Sequence, residues 1–213
     1  MARRLPVYLL VDTSGSMHGE PIAAVQNGIQ TMVAALMGEP QALETAFLSI
    51  ITFDSSARQV VPLTELNQFQ VPSLNAGGTT CLGEALTLVT KCAENEVVKN
   101  TPETKGDWKP LVFIMTDGEA TDDVNRGLQE FKKRKWGIVV ACAAGNGANT
   151  DELLKITEAV IQLDTADTKT IGAFFKWVTA SVTTSSKSVG NSNKEVTGLD
   201  QLPPPPPEIQ IVT

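Results

Sequence analysis

A run of five apolar residues, Val7-Tyr8-Leu9-Leu10-Val11, stops abruptly at Asp12-Thr13-Ser14-Gly15-Ser16, and this junction constrains the chain more than any other stretch. Unbroken apolar residues between Pro6 and Asp12 suit a strand covered on both faces, because a half-exposed strand would alternate apolar with polar. Such a strand belongs in a parallel sheet with helices on either side. Its end delivers one carboxylate and two hydroxyls, from Asp12, Ser14 and Ser16, at alternate positions of a glycine-containing turn. If the turn keeps some extension their oxygens converge on one point, and hard oxygen donors of this kind suit Mg²⁺ or Mn²⁺ better than Zn²⁺.

The same unit recurs along the chain. Ile22, Val25, Ile29, Val33 and Leu36 lie at helical spacing behind Pro21, and Gly38-Glu39-Pro40 ends the pattern. The β-forming stretch from Ala46 to Phe53, the turn residues Asp54-Ser55-Ser56-Ala57 and the segment Gln59-Val60-Val61-Pro62-Leu63 predict a hairpin. Pro62 places its second strand at an edge, since proline cannot donate to a ladder. Asn75-Ala76-Gly77-Gly78-Thr79-Thr80 then opens a helix through Leu82, Ala85, Leu86 and Val89, with Thr79 or Thr80 able to supply an oxygen as well as a cap. After a polar loop, Leu111-Val112-Phe113-Ile114-Met115 runs into Thr116-Asp117-Gly118-Glu119 and repeats the opening theme. Helices around Val124 to Phe131, Asn149 to Ile156 and Ile171 to Val182 alternate with strands at residues 137–144 and 160–163. This alternation predicts an α/β fold: a doubly wound, mostly parallel central sheet flanked by helices, with one antiparallel edge hairpin. In such a sheet Asp12, Ser14, Ser16, Thr79 and Asp117 meet outside the carboxyl ends of the strands.

The 213 residues are expected to form one domain, 5–183, followed by a tail, 184–213. The tail is a polar linker leading to a proline-rich segment, Pro203 to Pro207; Glu208 to Thr213 can extend as a strand, through which Ile209 and Ile211 could dock. A net charge of −7 provides no basic face for nucleic acid, and Lys132-Lys133-Arg134-Lys135 is read as the solvated end of a helix. Cys81, Cys92 and Cys142 are too scattered for a disulfide framework or a zinc site. No apolar run approaches a membrane span, and the run behind Met1-Ala2-Arg3-Arg4 is too short for a secretory signal, so a cytoplasmic location is expected.

Asp12-Thr13-Ser14-Gly15-Ser16, Gly77-Gly78-Thr79 and Thr116-Asp117-Gly118-Glu119 resemble, in order and spacing, the three-part metal-ion-dependent adhesion site (MIDAS) of von Willebrand factor type A (VWA) domains. The resemblance covers roughly residues 5 to 183. It implies that Ser14, Ser16 and Thr79 bind Mg²⁺ directly, with Mn²⁺ or Ca²⁺ as possible substitutes, and that Asp12 and Asp117 bind it directly or through water. It also implies a non-enzymatic function in which a partner protein's Asp or Glu completes the coordination. The wider text, Arg3-Arg4-Leu5-Pro6 leading into the first strand, Gly19-Glu20-Pro21-Ile22 and Val140-Ala141-Cys142-Ala143-Ala144-Gly145, is similar to the bacterial tellurium-resistance (TerY-type) branch. That branch implies a stress-response role with kinase or phosphatase partners.

The competing class is a metal-dependent phosphoryl-transfer enzyme of haloacid-dehalogenase-like type, which also places an Asp after its first strand. Its D-x-D motif requires a second carboxylate where this chain has Ser14, and His18, the only histidine, is read as an exposed rim residue. Asp12→Ala is expected to abolish metal-dependent partner capture while leaving the fold largely intact.

Overall fold

The computed structural model describes residues 3–192, 194–195 and 197–212. Strand β1 (Leu5–Asp12) is buried along its whole length. It pairs in parallel with β2 (Ala46–Phe53) on one side and β4 (Leu111–Thr116) on the other. Its side chains alternate between two cores. Val7, Leu9 and Val11 pack with Val25 and Ile29 of α1 (Glu20–Met37) and Val178 of α6 (Thr168–Lys187). Tyr8 and Leu10 pack with Leu86 and Val89 of α3 (Leu82–Glu96) and Phe131 of α4 (Val124–Phe131). Helices on both faces thus account for the unbroken apolar run.

The sheet order is β3-β2-β1-β4-β5-β6-β7, where β3 is Ala57–Glu65, β5 Val139–Ala144, β6 Val160–Leu163 and β7 Gln210–Val212. The expected doubly wound sheet is present, and β2–β3 is the antiparallel hairpin at one edge. After β1 the chain builds outward through β2 and β3, then returns to place β4 on β1's other side. The junction of β1 and β4 is therefore the topological switch point, where open α/β sheets hold their ligands.

Three features go beyond the sequence reading. A short helix α2 (Pro40–Thr45) follows the break at Gly38, with Pro40 in its first turn. Helix α6 continues through residues 184–187, which read as linker, because Ser185 and Ser186 stay buried there and Val189 extends the packed stripe. The proline-rich tail lies on the domain: Trp177 Nε1 donates to Pro203 O at 2.8 Å, Leu202 and Ile209 are buried, and β7 pairs antiparallel with β6. This adds a second antiparallel edge, with Ile209 docked and Ile211 exposed. Thr213, the last residue of the expected strand, and Met1-Ala2 lie outside the described residues. Among the described residues, no helix is long and apolar enough to cross a membrane.

Candidate metal centre

Asp12, the last residue of β1, is fully buried, and both its oxygens are engaged. Ser14 N–H donates to Oδ1 at 2.7 Å and the buried Thr116 hydroxyl donates to Oδ2 at 2.6 Å. Each carboxylate oxygen retains a second lone pair. From Ser14 a line of oxygens runs outward: Ser14 Oγ lies 3.0 Å from Ser16 Oγ, and Ser16 Oγ donates to Asp117 Oδ1 at 2.7 Å. Ser14 is buried, Ser16 exposed and Asp117 half-buried, so the group opens to solvent at one end.

The Gly77-Gly78-Thr79 loop is joined to the first loop through backbone. Gly15 N donates to Gly78 O at 3.1 Å and Gly77 N to Thr13 O at 2.9 Å. Gly78 has φ +80°, and a side chain there would collide with Ser55 Oγ. Glycine is needed for both reasons. Ser55 Oγ in turn receives Thr79 N at 3.2 Å and lies 3.4 Å from Thr79 Oγ1. Thr79 thus sits exposed on the same edge, but among the described hydrogen bonds its hydroxyl meets Ser55 rather than the Ser14–Ser16–Asp117 line. Its neighbour Thr80 is buried; its carbonyl oxygen accepts from Thr121 N at 2.8 Å, and its N–H donates to the Thr121 hydroxyl at 3.1 Å. The third loop is fixed by Asp122, whose carboxylate accepts from Gly83 N and Glu84 N at the start of α3.

Burial pushes the Asp12 and Asp117 carboxyls above the usual carboxylate range. Hydrogen bonds from Ser14 and Thr116 oppose this at Asp12, and one from Ser16 at Asp117. Two carboxylates are therefore held where water solvates them poorly, and a cation would relieve that cost. The donor set is oxygen throughout. Among the described residues, no three His, Cys, Asp or Glu side chains gather as a metal cluster. The lone His18 is exposed, as expected of a rim residue.

Thr116 and Ser55 carry structural duties that the sequence did not reveal. Thr116 lies inside the Thr-Asp-Gly-Glu element, so its place beside Asp117 was the available signal; nothing in the hairpin turn marked Ser55. The complete burial of Asp12 also corrects one expectation. Asp12→Ala would leave the buried Ser14 N–H without its acceptor, at a cost of about 1–3 kcal/mol, and the Thr116 hydroxyl with only its longer contact to Gly118 O at 3.3 Å. Position at the sheet rim does not make the residue dispensable to the fold.

A sequence profile of the von Willebrand factor type A domain matches residues 7–174. Among solved structures, the chain is similar to proximal thread matrix protein 1 from the mussel byssus, at 17% identity and TM-score 0.62 over 84% of this chain and 48% of that one. Another structure of that mussel protein has a zinc-occupied MIDAS motif, at 18% identity and TM-score 0.58 over 84% of this chain and 46% of that one. A von Willebrand factor type A protein from Catenulispora acidiphila matches at 19% identity and TM-score 0.61, over 86% of this chain and 44% of that one. These identities show likeness of fold, and the chain spans less than half of each of these structures. No curated protein matches the chain.

Proposed function

The chain belongs to the von Willebrand factor type A domain family, and from that premise we propose that it is a non-enzymatic, Mg²⁺-dependent protein-binding module of MIDAS type. Ser14, Ser16 and Thr79 hold the ion, Asp12 and Asp117 supply charge directly or through water, and a partner's Asp or Glu completes the coordination. The observation that carries this reading is the unbroken line of oxygens from buried Ser14 through Ser16 to Asp117 at the switch point. Neighbouring oxygens around an octahedral Mg²⁺ lie about 2.9 Å apart, as follows from its bond lengths. The spacings of 3.0 and 2.7 Å along the line fit that size. Calcium, with longer bonds, would need edges of roughly 3.3–3.7 Å and some spreading of the loops.

Two carboxylates offset the charge of a divalent cation and leave a Lewis-acidic centre facing solvent. The bound metal supplies the electrophile for an incoming carboxylate; the chain's own residues position it, with Thr116 orienting Asp12 and Ser55 steadying the Thr79 loop. The zinc-occupied MIDAS of the mussel protein supports a divalent ion at such a site in a protein of this fold. The phosphoryl-transfer alternative is disfavoured by Ser14, since the position of the second acid is filled by a buried hydroxyl facing Ser16.

The finer assignment, a cytoplasmic role in a bacterial tellurium-resistance or stress-response system with a kinase or phosphatase as partner, rests on the TerY-type sequence resemblance. The division into a VWA domain at 5–183 and a tail at 184–213 rests on the extent of the VWA resemblance and on the change to polar, then proline-rich, composition that follows it. The test is a pull-down from the native host with Mg²⁺ against EDTA, using wild type and Asp12→Asn. A partner captured only by wild type with Mg²⁺ supports the proposal; equal capture in all four conditions refutes it.

A further inference from the structure

The basic run that read as a solvated helix end divides in two. Lys132, Lys133 and Lys135 are exposed, and Lys133 pairs with Glu130 at 2.7 Å. Arg134 instead turns inward. Its guanidinium carbon lies 5.5 Å from the centre of the Trp136 ring, which is stacked on Phe131 at 4.6 Å. Its Nε is buried with no hydrogen-bond partner among the described residues. Burial weakens the hold of this guanidinium on its proton, and the carboxylate of Glu94 opposes the effect without a hydrogen bond. An arginine carries five donors arranged to grip a carboxylate or phosphate; the buried Nε is out of a ligand's reach, so the terminal nitrogens of this half-buried side chain, which make no hydrogen bond among the described residues, are the donors left to meet an acceptor.

Arg134 lines a cavity of about 540 Å³, a size suited to small organic molecules. The cavity is open to solvent and lies at the amino-terminal ends of β5 and β6, opposite the candidate metal centre. Its walls are the end of α4, the loop to β5, the connection between α5 (Thr150–Ile156) and β6, and Leu199 of the segment after α6. Lys132 brings a second cation, and Trp136, Ile138, Ile156 and Leu199 bring apolar surface. The one acid on the lining, Glu158, is an exposed residue. Thr157 is already spent, donating to Val139 O at 2.7 Å and accepting from Ala159 N at 3.1 Å. The strongest free donors of the cavity are therefore Arg134 and Lys132, set against an apolar wall.

We propose that this cavity is a second binding site, one that takes a small organic anion: a carboxylate or phosphate head gripped by Arg134 and Lys132, with an apolar body against Ile138, Ile156 and Leu199. The site is independent of the metal centre. Isothermal titration calorimetry of the full chain in EDTA, with phenyl phosphate, benzoate, inorganic phosphate and benzylamine as probes, tests it. Phenyl phosphate or benzoate should bind one to one, inorganic phosphate at least tenfold more weakly, and benzylamine not at all. Arg134→Gln should weaken the organic anion at least tenfold and Lys132→Gln by a smaller factor, both proteins keeping the wild-type circular dichroism, while Asp12→Asn binds as wild type does. Absence of one-to-one binding of both organic anions at about 10 mM, where a 1 mM site would be nine-tenths full, overturns the proposal. So does unchanged affinity in Arg134→Gln, or loss of binding in Asp12→Asn.

Discussion

Replacing Asp12 by Asn separates the site's cation chemistry from its part in the fold. The asparagine oxygen can still accept from Ser14 N–H, and its new amide can donate to the Thr116 hydroxyl, which has Gly118 O at 3.3 Å as another acceptor. The packing is kept and one buried charge is removed. Because burial raises the Asp12 carboxyl above its usual range, ionised Asp12 costs the metal-free fold stability at neutral pH. In EDTA, Asp12→Asn should therefore melt at or above the wild-type temperature. Mg²⁺ reverses the order. At a hundred times its dissociation constant the ion stabilises wild type by about 2.7 kcal/mol. For a chain of this length that is a rise of roughly 5–11 °C. Loss of one of the two carboxylates should weaken the ion about a hundredfold, which leaves about 0.4 kcal/mol under the same conditions. Differential scanning fluorimetry in MgCl₂ and in EDTA reads both changes. A wild-type melting temperature indifferent to Mg²⁺, or an Asn variant that keeps the full rise, would refute the reasoning.

Asp167 caps α6, accepting from Lys169 N and Thr170 N at 2.9 Å each, so Asp167→Ala should cost about 1 kcal/mol in urea denaturation at pH 7. These bonds hold its carboxyl below the usual range; its contribution is therefore complete above about pH 4 and lost as pH falls through the lower folded value, where variant and wild type should converge. A methyl on Gly127 would fall on the carbonyl oxygen of Gly83 where α3 and α4 cross, whereas one on Gly172 of α6 meets nothing within 4 Å. Thermal unfolding should show Gly127→Ala destabilised by about 1–3 kcal/mol and Gly172→Ala stabilised by about 0.5–1 kcal/mol. Burial and the charge of Glu96 push the Cys92 thiol up to about 11, and burial alone pushes Cys142 up. Ellman's reagent should then titrate one thiol readily in the native protein, the half-buried Cys81, and all three after denaturation.

The architecture was legible where burial on both sides left its mark on composition. The runs at 7–11 and 111–115 read as central strands because helices cover both faces, and that in turn placed Asp12 and Asp117 at neighbouring strand ends. The orientation of side chains within the site was less legible. That Thr79 Oγ1 lies by Ser55, and that Thr116 rather than solvent meets Asp12, depends on how three loops remote in sequence fit together. At the C-terminus weak local preference misled. Ser and Thr are poor helix formers, yet residues 184–187 continue α6 because that turn is packed. The proline-rich segment likewise follows α6, anchored by the Trp177 indole, and delivers β7 to the sheet edge. Arg134 illustrates the same limit: within a run of four cations no local signal distinguishes the one that turns inward.

The measurement closest to the central claim is anomalous diffraction from crystals grown with Mn²⁺. A single strong peak at the β1–β4 switch point, with Ser14 Oγ and Ser16 Oγ within about 2.3 Å and Thr79, Asp12 and Asp117 ligating directly or through water, is the expected result. No peak at that edge, or one whose ligands exclude Ser14 and Ser16, would contradict the claim that these loops form a metal-centred docking site.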